Sequence, residues 1–150
     1  MSSVTVVKDI NATAEVVFDC IAHIENYAEI QPDIVNVEFL SEQRRGVGTR
    51  FAETRRMKNR EETVVLEVTE YNPPKSVRIV SDTHGTVWDT TFTVIPTSET
   101  TCRLTLTMEV RAYKWLAKVM NLFIMGMVTR HIEADMDQVK SACEAARGIA

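Results

Sequence analysis

The chain has no excess of basic residues. Its 150 residues carry 17 Lys and Arg against 21 Asp and Glu, a net charge of −4 and a pI near 5.4, where a general nucleic-acid binder shows a basic domain. No DNA partner is expected, although a global count does not exclude a local basic patch. No apolar run is long enough to span a bilayer. Residues 115–128 make up about 14, interrupted by Lys118 and Asn121, and a spanning helix needs roughly 20. The start, Met1-Ser-Ser-Val-Thr-Val-Val-Lys-Asp9, lacks the basic n-region and apolar core of a secretory signal, so a cytoplasmic location is expected. Cysteine is scarce: Cys20, Cys102 and Cys143 are odd in number, widely spaced and set in apolar patterns. That suggests neither a disulfide framework nor a zinc motif and predicts buried, reduced thiols. There is no phosphate-binding glycine loop, GxSxG elbow, HExxH or paired-cysteine spacing. Nucleophilic, metal and cofactor-dependent chemistry therefore have no visible support, and no cofactor is expected.

What is present is an ordered series of patterns without linker, repeat or low-complexity segment. The length suits one domain, residues 1–150, burying about 68–70% of the surface of its unfolded chain. Val4 to Ile10 alternates as a first strand. Asn11 and Thr13 are both able to cap a helix whose apolar side is Val16, Val17, Cys20, Ile21 and Ile24, ending near Ile24. Pro32 keeps the next segment non-helical. Strands follow at Val35–Phe39, Arg50–Met57, Glu61–Tyr71, Val77–Asp82, Thr86–Ile95 and around Leu104–Val110. Gly46 and Gly48, Lys58-Asn59-Arg60, Asn72-Pro-Pro-Lys75, His84-Gly85 and Pro96–Thr100 make the turns between them. In the last strand Leu104, Leu106, Met108 and Val110 face one way and Arg103, Thr105, Thr107 and Glu109 the other. Such alternation predicts an antiparallel sheet with one wet face, hence an α+β protein.

The run from Tyr113 to Ala146 contains no Pro and one Gly, and as a helix it spans roughly 50 Å. Its second half is one-sided, with Val128, Ile132, Met136, Val139, Cys143 and Ala146 at spacings of three and four. Its first half, Trp115 to Val128, is apolar nearly all round, which predicts protein on more than one side. A helix laid over a curved sheet leaves space where an apolar guest fits.

The run Ile10-Asn-Ala-Thr-Ala-Glu-Val-Val-Phe-Asp-Cys-Ile-Ala22, then Ile24-Glu-Asn-Tyr27, Gln31-Pro-Asp-Ile-Val35 and Gly46-Val-Gly-Thr-Arg-Phe51, with the Asn72–Lys75 turn and the long terminal helix, resembles the START-related lipid-transfer and polyketide cyclase/dehydrase (SRPBCC) superfamily. The resemblance covers nearly the whole chain. It implies a helix-grip fold: a seven-stranded curved antiparallel sheet wrapped around the C-terminal helix, short helices between strands one and two, and a hydrophobic cavity holding a lipid, polyketide or aromatic ligand.

If Trp88, Thr90, Phe92 and Met108 face inward, they oppose Met120, Phe123, Ile124 and Met127 on the helix; otherwise these residues simply pack a core. On strand three Phe51, Glu53, Arg55 and Met57 share a face, so Glu53 and Arg55 either pair inside the cavity or lie on the outer surface. Inside, Arg55 would suit a ligand carboxylate or enolate. His131 follows Met120, Phe123 and Met127 on one strip, and is either a titrating group at the cavity mouth or an ordinary helix histidine. A cofactor-independent cyclase or dehydratase would use Arg55 for an enolate and His131 or Glu53 for protons. The family's cyclases place Arg, Tyr, His or Asn around the cavity, and a complete set does not map onto this chain. Finally, Arg44, Arg45, Arg50, Arg55, Arg56, Lys58 and Arg60 form a basic hairpin whose only acid is Glu53. It is either solvated or meets an acidic partner, membrane surface or RNA. Both monomer and dimer are compatible with these patterns.

Overall fold

The structure is a computed structural model and describes residues 2–149. Seven strands, β1 (Ser2–Ile10), β2 (Ile34–Phe39), β3 (Arg50–Met57), β4 (Arg60–Asn72), β5 (Ser76–Thr83), β6 (Thr86–Pro96) and β7 (Cys102–Ala112), form one sheet in the order β1-β7-β6-β5-β4-β3-β2. Strands β2 to β7 run as an antiparallel meander. β1 returns to pair with β7, from Ser2 opposite Val110 to Ile10 opposite Cys102. The alternation that marks β7 as a strand decides its faces: Leu104, Leu106 and Val110 are buried, while Arg103 is exposed.

Three helices cover the concave face: α1 (Ala14–Ala22), α2 (Tyr27–Ile30) and α3 (Trp115–Ile149). Of the two candidate caps, Thr13 does the capping, its Oγ1 accepting the Val16 N–H at 3.3 Å. The first helix is shorter than expected. It stops at Ala22, and a 3-10 turn at Ile24–Asn26 leads into α2, which lets Ile24 bury completely while the chain turns toward Pro32. The β5–β6 turn needs its glycine. Gly85 has φ 82°, and a Cβ there would lie 2.7 Å from Lys114 Cδ, just where the Tyr113 N–H donates to the Gly85 carbonyl at 2.9 Å.

The core joins Val17, Phe18 and Ile21 of α1 to Leu104 and Leu106 of β7 and to Ile132, Met136, Val139 and Cys143 of α3. Ala146, expected on the same stripe, is exposed, but from Val128 to Cys143 the one-sided second half of α3 packs as its periodicity dictates. The first half does not. Protein on more than one side was expected there, yet Ala117 is the buried residue of that stretch while Trp115 is 72% exposed, Leu122 81% and Phe123 83%. The cause is geometric: α3 begins at the β5–β6 turn, so one of its faces meets the sheet and the other meets nothing in this chain. Cys102 and Cys143 are buried and Cys20 half-buried, all as free thiols.

The convex face of β5–β7 carries a charge ladder. Asp89, 5% exposed, accepts from Arg78 Nε and Nη2 at 2.8 and 2.6 Å and from Arg111 Nη2 at 3.2 Å. The Arg78 hydrogen bonds, more than those of Arg111, hold the Asp89 carboxyl below the usual carboxylate range. A depressed carboxyl contributes stability above its unfolded value of about 3.9, and loses that contribution as pH falls through the folded value. Asp89→Asn is therefore expected to lower unfolding free energy by about 1–2 kcal/mol at pH 7. Urea melts should show the gap from wild type unchanged down to about pH 4 and closing below it.

Candidate functional site

Between the sheet and α3 lies a cavity of about 320 Å³, within the range of small-molecule sites. Its walls are predominantly apolar. β3 supplies Phe51 and Met57, β4 Leu66, β5 Ile79, β6 Trp88, Thr90 and Phe92, and β7 Leu106 and Met108. From α3 come Met127, Val128, His131, Ile132 and Asp135. These residues reach one volume because every second side chain of a strand points inward and the sheet is curved.

The polar groups sit together at one side. Glu53, buried on β3, accepts from Arg55 Nε at 2.6 Å. Arg55 reaches across to α3, where Nη1 donates to Asp135 Oδ1 at 3.3 Å and Nη2 lies 3.1 Å from Asp135 Oδ2. Burial alone would lower the Arg55 pKa, but the opposing charges of Glu53 and Asp135 and their hydrogen bonds raise it above the ordinary arginine value. The guanidinium is permanently charged and already answered by two carboxylates. Gln31 braces the same place by donating from Nε2 to the Asp135 carbonyl at 2.9 Å. Tyr27 also lines the cavity. Burial, with Glu53 second, pushes its phenol well up, and its hydroxyl is committed as donor to the Ile21 carbonyl. A smaller pocket of about 80 Å³, lined by Ile30, Gln31, Ile34 and Val139, lies beyond the Arg55–Asp135 pair and shares it with the main cavity.

His131 faces the cavity, and its Nε2 is buried without a hydrogen-bond partner among the described residues. A polar atom left so is costly unless a guest meets it.

The strands thus place Phe51, Glu53, Arg55, Trp88, Thr90, Phe92 and Met108 on the cavity, and α3 places Met127 and His131 there. Met120, Phe123 and Ile124 require correction, because none of them lines it. The α3 face turned toward the sheet runs through Ala117, Asn121, Val128 and Ile132. The strip Met120, Phe123, Met127 and His131 lies off to its side and drifts into the cavity only at Met127, whereas Ile124, half-buried on the sheet-facing line, lies just before Met127, where the α3 wall of the cavity begins. Tyr27, Gln31 and Asp135 were not anticipated. The signal for Asp135 was Arg55 itself, since a charge on an apolar strand face demands a partner.

The basic hairpin is likewise not one patch. Arg45 pairs with Glu25 at 2.8 Å, Arg50 with Glu67 at 3.6 Å and Arg56 with Glu61 at 3.3 Å. Arg44 sits 4.9 Å over the Phe39 ring, and Arg55 turns inward. Among the described residues no group of three or more His, Cys, Asp or Glu is placed to hold a metal.

The model of a family described as polyketide cyclase / dehydrase and lipid transport matches residues 1–144. No curated protein matches by sequence. Among solved structures, the fold is similar to the ZhuI aromatase/cyclase from Streptomyces sp. R1128, with a TM-score of 0.79 at 16% identity over 95% of this chain and 93% of that one. It is similar also to TTHA0849 from Thermus thermophilus, TM-score 0.78 at 16% identity over 97% and 99%. A third is norcoclaurine synthase from Thalictrum flavum in complex with dopamine and hydroxybenzaldehyde, TM-score 0.73 at 14% identity over 94% and 85%. At these identities the likeness is one of fold, the helix-grip arrangement.

Removing one partner of a buried ion cluster strands the others. Arg55→Met is expected to destabilise the protein by about 3–5 kcal/mol, whereas combining it with Glu53→Gln and Asp135→Asn should restore most of the loss. Chemical denaturation of the single and triple variants checks this. A single variant losing less than about 1 kcal/mol would show the cluster to be solvated.

Proposed function

The chain belongs to the polyketide cyclase/dehydrase and lipid-transport family, and from that premise we propose that residues 1–150 act as one binding domain for a neutral, ring-containing apolar molecule that carries a hydroxyl. The observation that carries this reading is the cavity of about 320 Å³ with predominantly apolar walls, on which His131 sits with its Nε2 buried and without a hydrogen-bond partner among the described residues. A hydroxyl satisfies an imidazole nitrogen in either tautomer, since it both donates and accepts.

Charge weighs against an acid as the ligand. Glu53 and Asp135 outnumber Arg55, so a ligand carboxylate would meet an excess of negative charge between apolar walls and a guanidinium whose Nε, Nη1 and Nη2 each already face a carboxylate. The anion-binding role expected of Arg55 is thereby weakened.

A second reading, a cofactor-independent cyclase or dehydratase, draws support from the convergence of Glu53, Arg55 and His131 on one volume. His131 would accept a proton from a carbon beside a substrate carbonyl. The same neutralisation of Arg55 makes it a poor stabiliser of the resulting enolate, so carriage has the stronger support.

Native mass spectrometry of the purified protein, with organic extraction, is expected to reveal a neutral apolar guest. In a Trp115→Phe background, where emission comes from Trp88 in the cavity wall, naphthol should quench and bind at least about tenfold more tightly than naphthoate, a difference of about 1.4 kcal/mol. His131→Phe should erase that preference. Equal affinities, or a preference for the acid, would overturn the reading. Turnover of a β-ketone thioester that stops in the same His131 variant would favour catalysis instead.

A further inference from the structure

The first half of α3 carries an apolar face for which neither the cavity nor the core has a use. Trp115, Leu116, Val119, Leu122 and Phe123 are all exposed and lie together on the side of the helix turned away from the sheet. Exposed apolar patches of this kind mark interaction sites. What meets this one is indicated by the charges around it.

Between Glu109 and Glu133 the chain has no acidic residue, but it has Arg111, Lys114, Lys118 and Arg130. The turns that neighbour the start of α3 add to this. His84 of the β5–β6 turn lies 3.5 Å from Glu62 at the start of β4, and Gly85 of the same turn carries the Tyr113 N–H. The β3–β4 turn, with Lys58 and Arg60, is therefore at the same end of the sheet. Of the acids at that end, Glu61 is paired with Arg56, while Glu62, 3.5 Å from His84, and Asp82, which accepts from the Tyr113 hydroxyl at 2.7 Å, keep their charge and are outnumbered by the cations. Lys58, Arg60, Lys114 and Lys118 have no ion-pair partner among the described residues. Apolar side chains including Trp and Phe, flanked by lysines and lacking acids, have the composition of a helix that lies in the plane of a membrane interface. Trp115 and Tyr113 are the residue types that favour headgroup depth.

We propose that the first half of α3, with the Lys58–Arg60 turn beside it, is a docking face for an anionic lipid bilayer. Docking is peripheral, because no helix among the described residues is long and apolar enough to cross a membrane. A second copy fits the same face less well. A two-fold contact opposes the face to itself, residue i to j and j to i, so Lys114 and Lys118 of each copy would meet a stretch of helix that carries no acid. Met127 ties this face to the cavity, since it lines the cavity and is also exposed. A lipid surface would thus lie against the cavity's edge. The proposal rests on the surface alone and stands or falls apart from the identity of the cavity's guest.

Flotation of the purified protein with vesicles tests it. Binding is expected to phosphatidylcholine vesicles containing phosphatidylglycerol and not to phosphatidylcholine alone, and it should weaken as salt screens the headgroups. Leu122→Glu/Phe123→Glu should abolish it. Lys114→Glu/Lys118→Glu should reduce it by roughly fivefold or more for each lost cation. Both pairs are exposed, and unchanged thermal melts would show that the fold is intact. The proposal is overturned if wild type fails to float with anionic vesicles, or if either double variant floats as well as wild type. It is equally overturned if wild type sediments as a dimer that Leu122→Glu/Phe123→Glu dissociates while neither protein binds vesicles, which would assign the face to a second copy.

Discussion

Arg55 ties the open side of the sheet to the helix that covers it. α3 packs along β1 and α1 through Ile132, Met136, Val139 and Cys143, whereas β3 lies at the other end of the strand order, next to the β2 edge. The Arg55–Asp135 ion pair crosses the space between β3 and α3, and Glu53 holds the guanidinium in line for it. An arginine long enough to span that distance keeps the two walls apart as well as joined. At that side of the cavity β3 and α3 are bridged by the reach of one arginine and one carboxylate, and the cluster leaves one carboxylate in excess.

The two halves of α3 show how far a single periodicity carries. From Val128 onward the apolar positions at three and four form one stripe, of which Ile132, Met136, Val139 and Cys143 are buried, Val128 is half-buried and Ala146 is exposed, and Gln31 fixes the backbone at Asp135. Before Val128 the apolar positions surround the helix: Ala117 is buried, Asn121 donates to Thr86 Oγ1 at 3.3 Å and Met125 packs half-buried against the core, while the opposite side stays exposed. A helix wetted on an apolar face loses the hydrophobic contribution of that face, so this stretch adds little to the stability of the isolated chain and is retained at the expense of an exposed patch.

The strands and their faces were legible in the sequence because alternation has one interpretation once a sheet has a wet side: Trp88, Thr90 and Phe92 had to point together, and Leu104 and Leu106 with them. The helix-grip arrangement was legible from the order of elements. Less legible was which side of α3 met the sheet near its start. An all-apolar stretch offers no polar face to orient it, so Met120, Phe123 and Ile124 were placed on the cavity when the helix turns two of them outward. Asp135 was hidden for the opposite reason. An acid in a charged stretch of helix reads as solvated, and only the Arg55 that reaches for it from β3, 80 residues away, shows otherwise. Long-range pairing between charges is invisible to local pattern, even where one partner already sits in an improbable place.

The ion cluster is a poor choice for stability alone. Well-packed apolar side chains in place of Glu53, Arg55 and Asp135 would avoid the desolvation of three charges, and such replacements in buried clusters are often neutral or stabilising. They would also remove the spacer. Shorter apolar groups on β3 and α3 attract each other into contact, and a close-packed interior has no cavity. A chain selected for stability would close the gap between β3 and α3. This one holds the gap open with a charged strut, lines the rest with apolar walls and leaves His131 Nε2 unsatisfied beside it. The arrangement is coherent if the space is meant to be filled by something other than the protein.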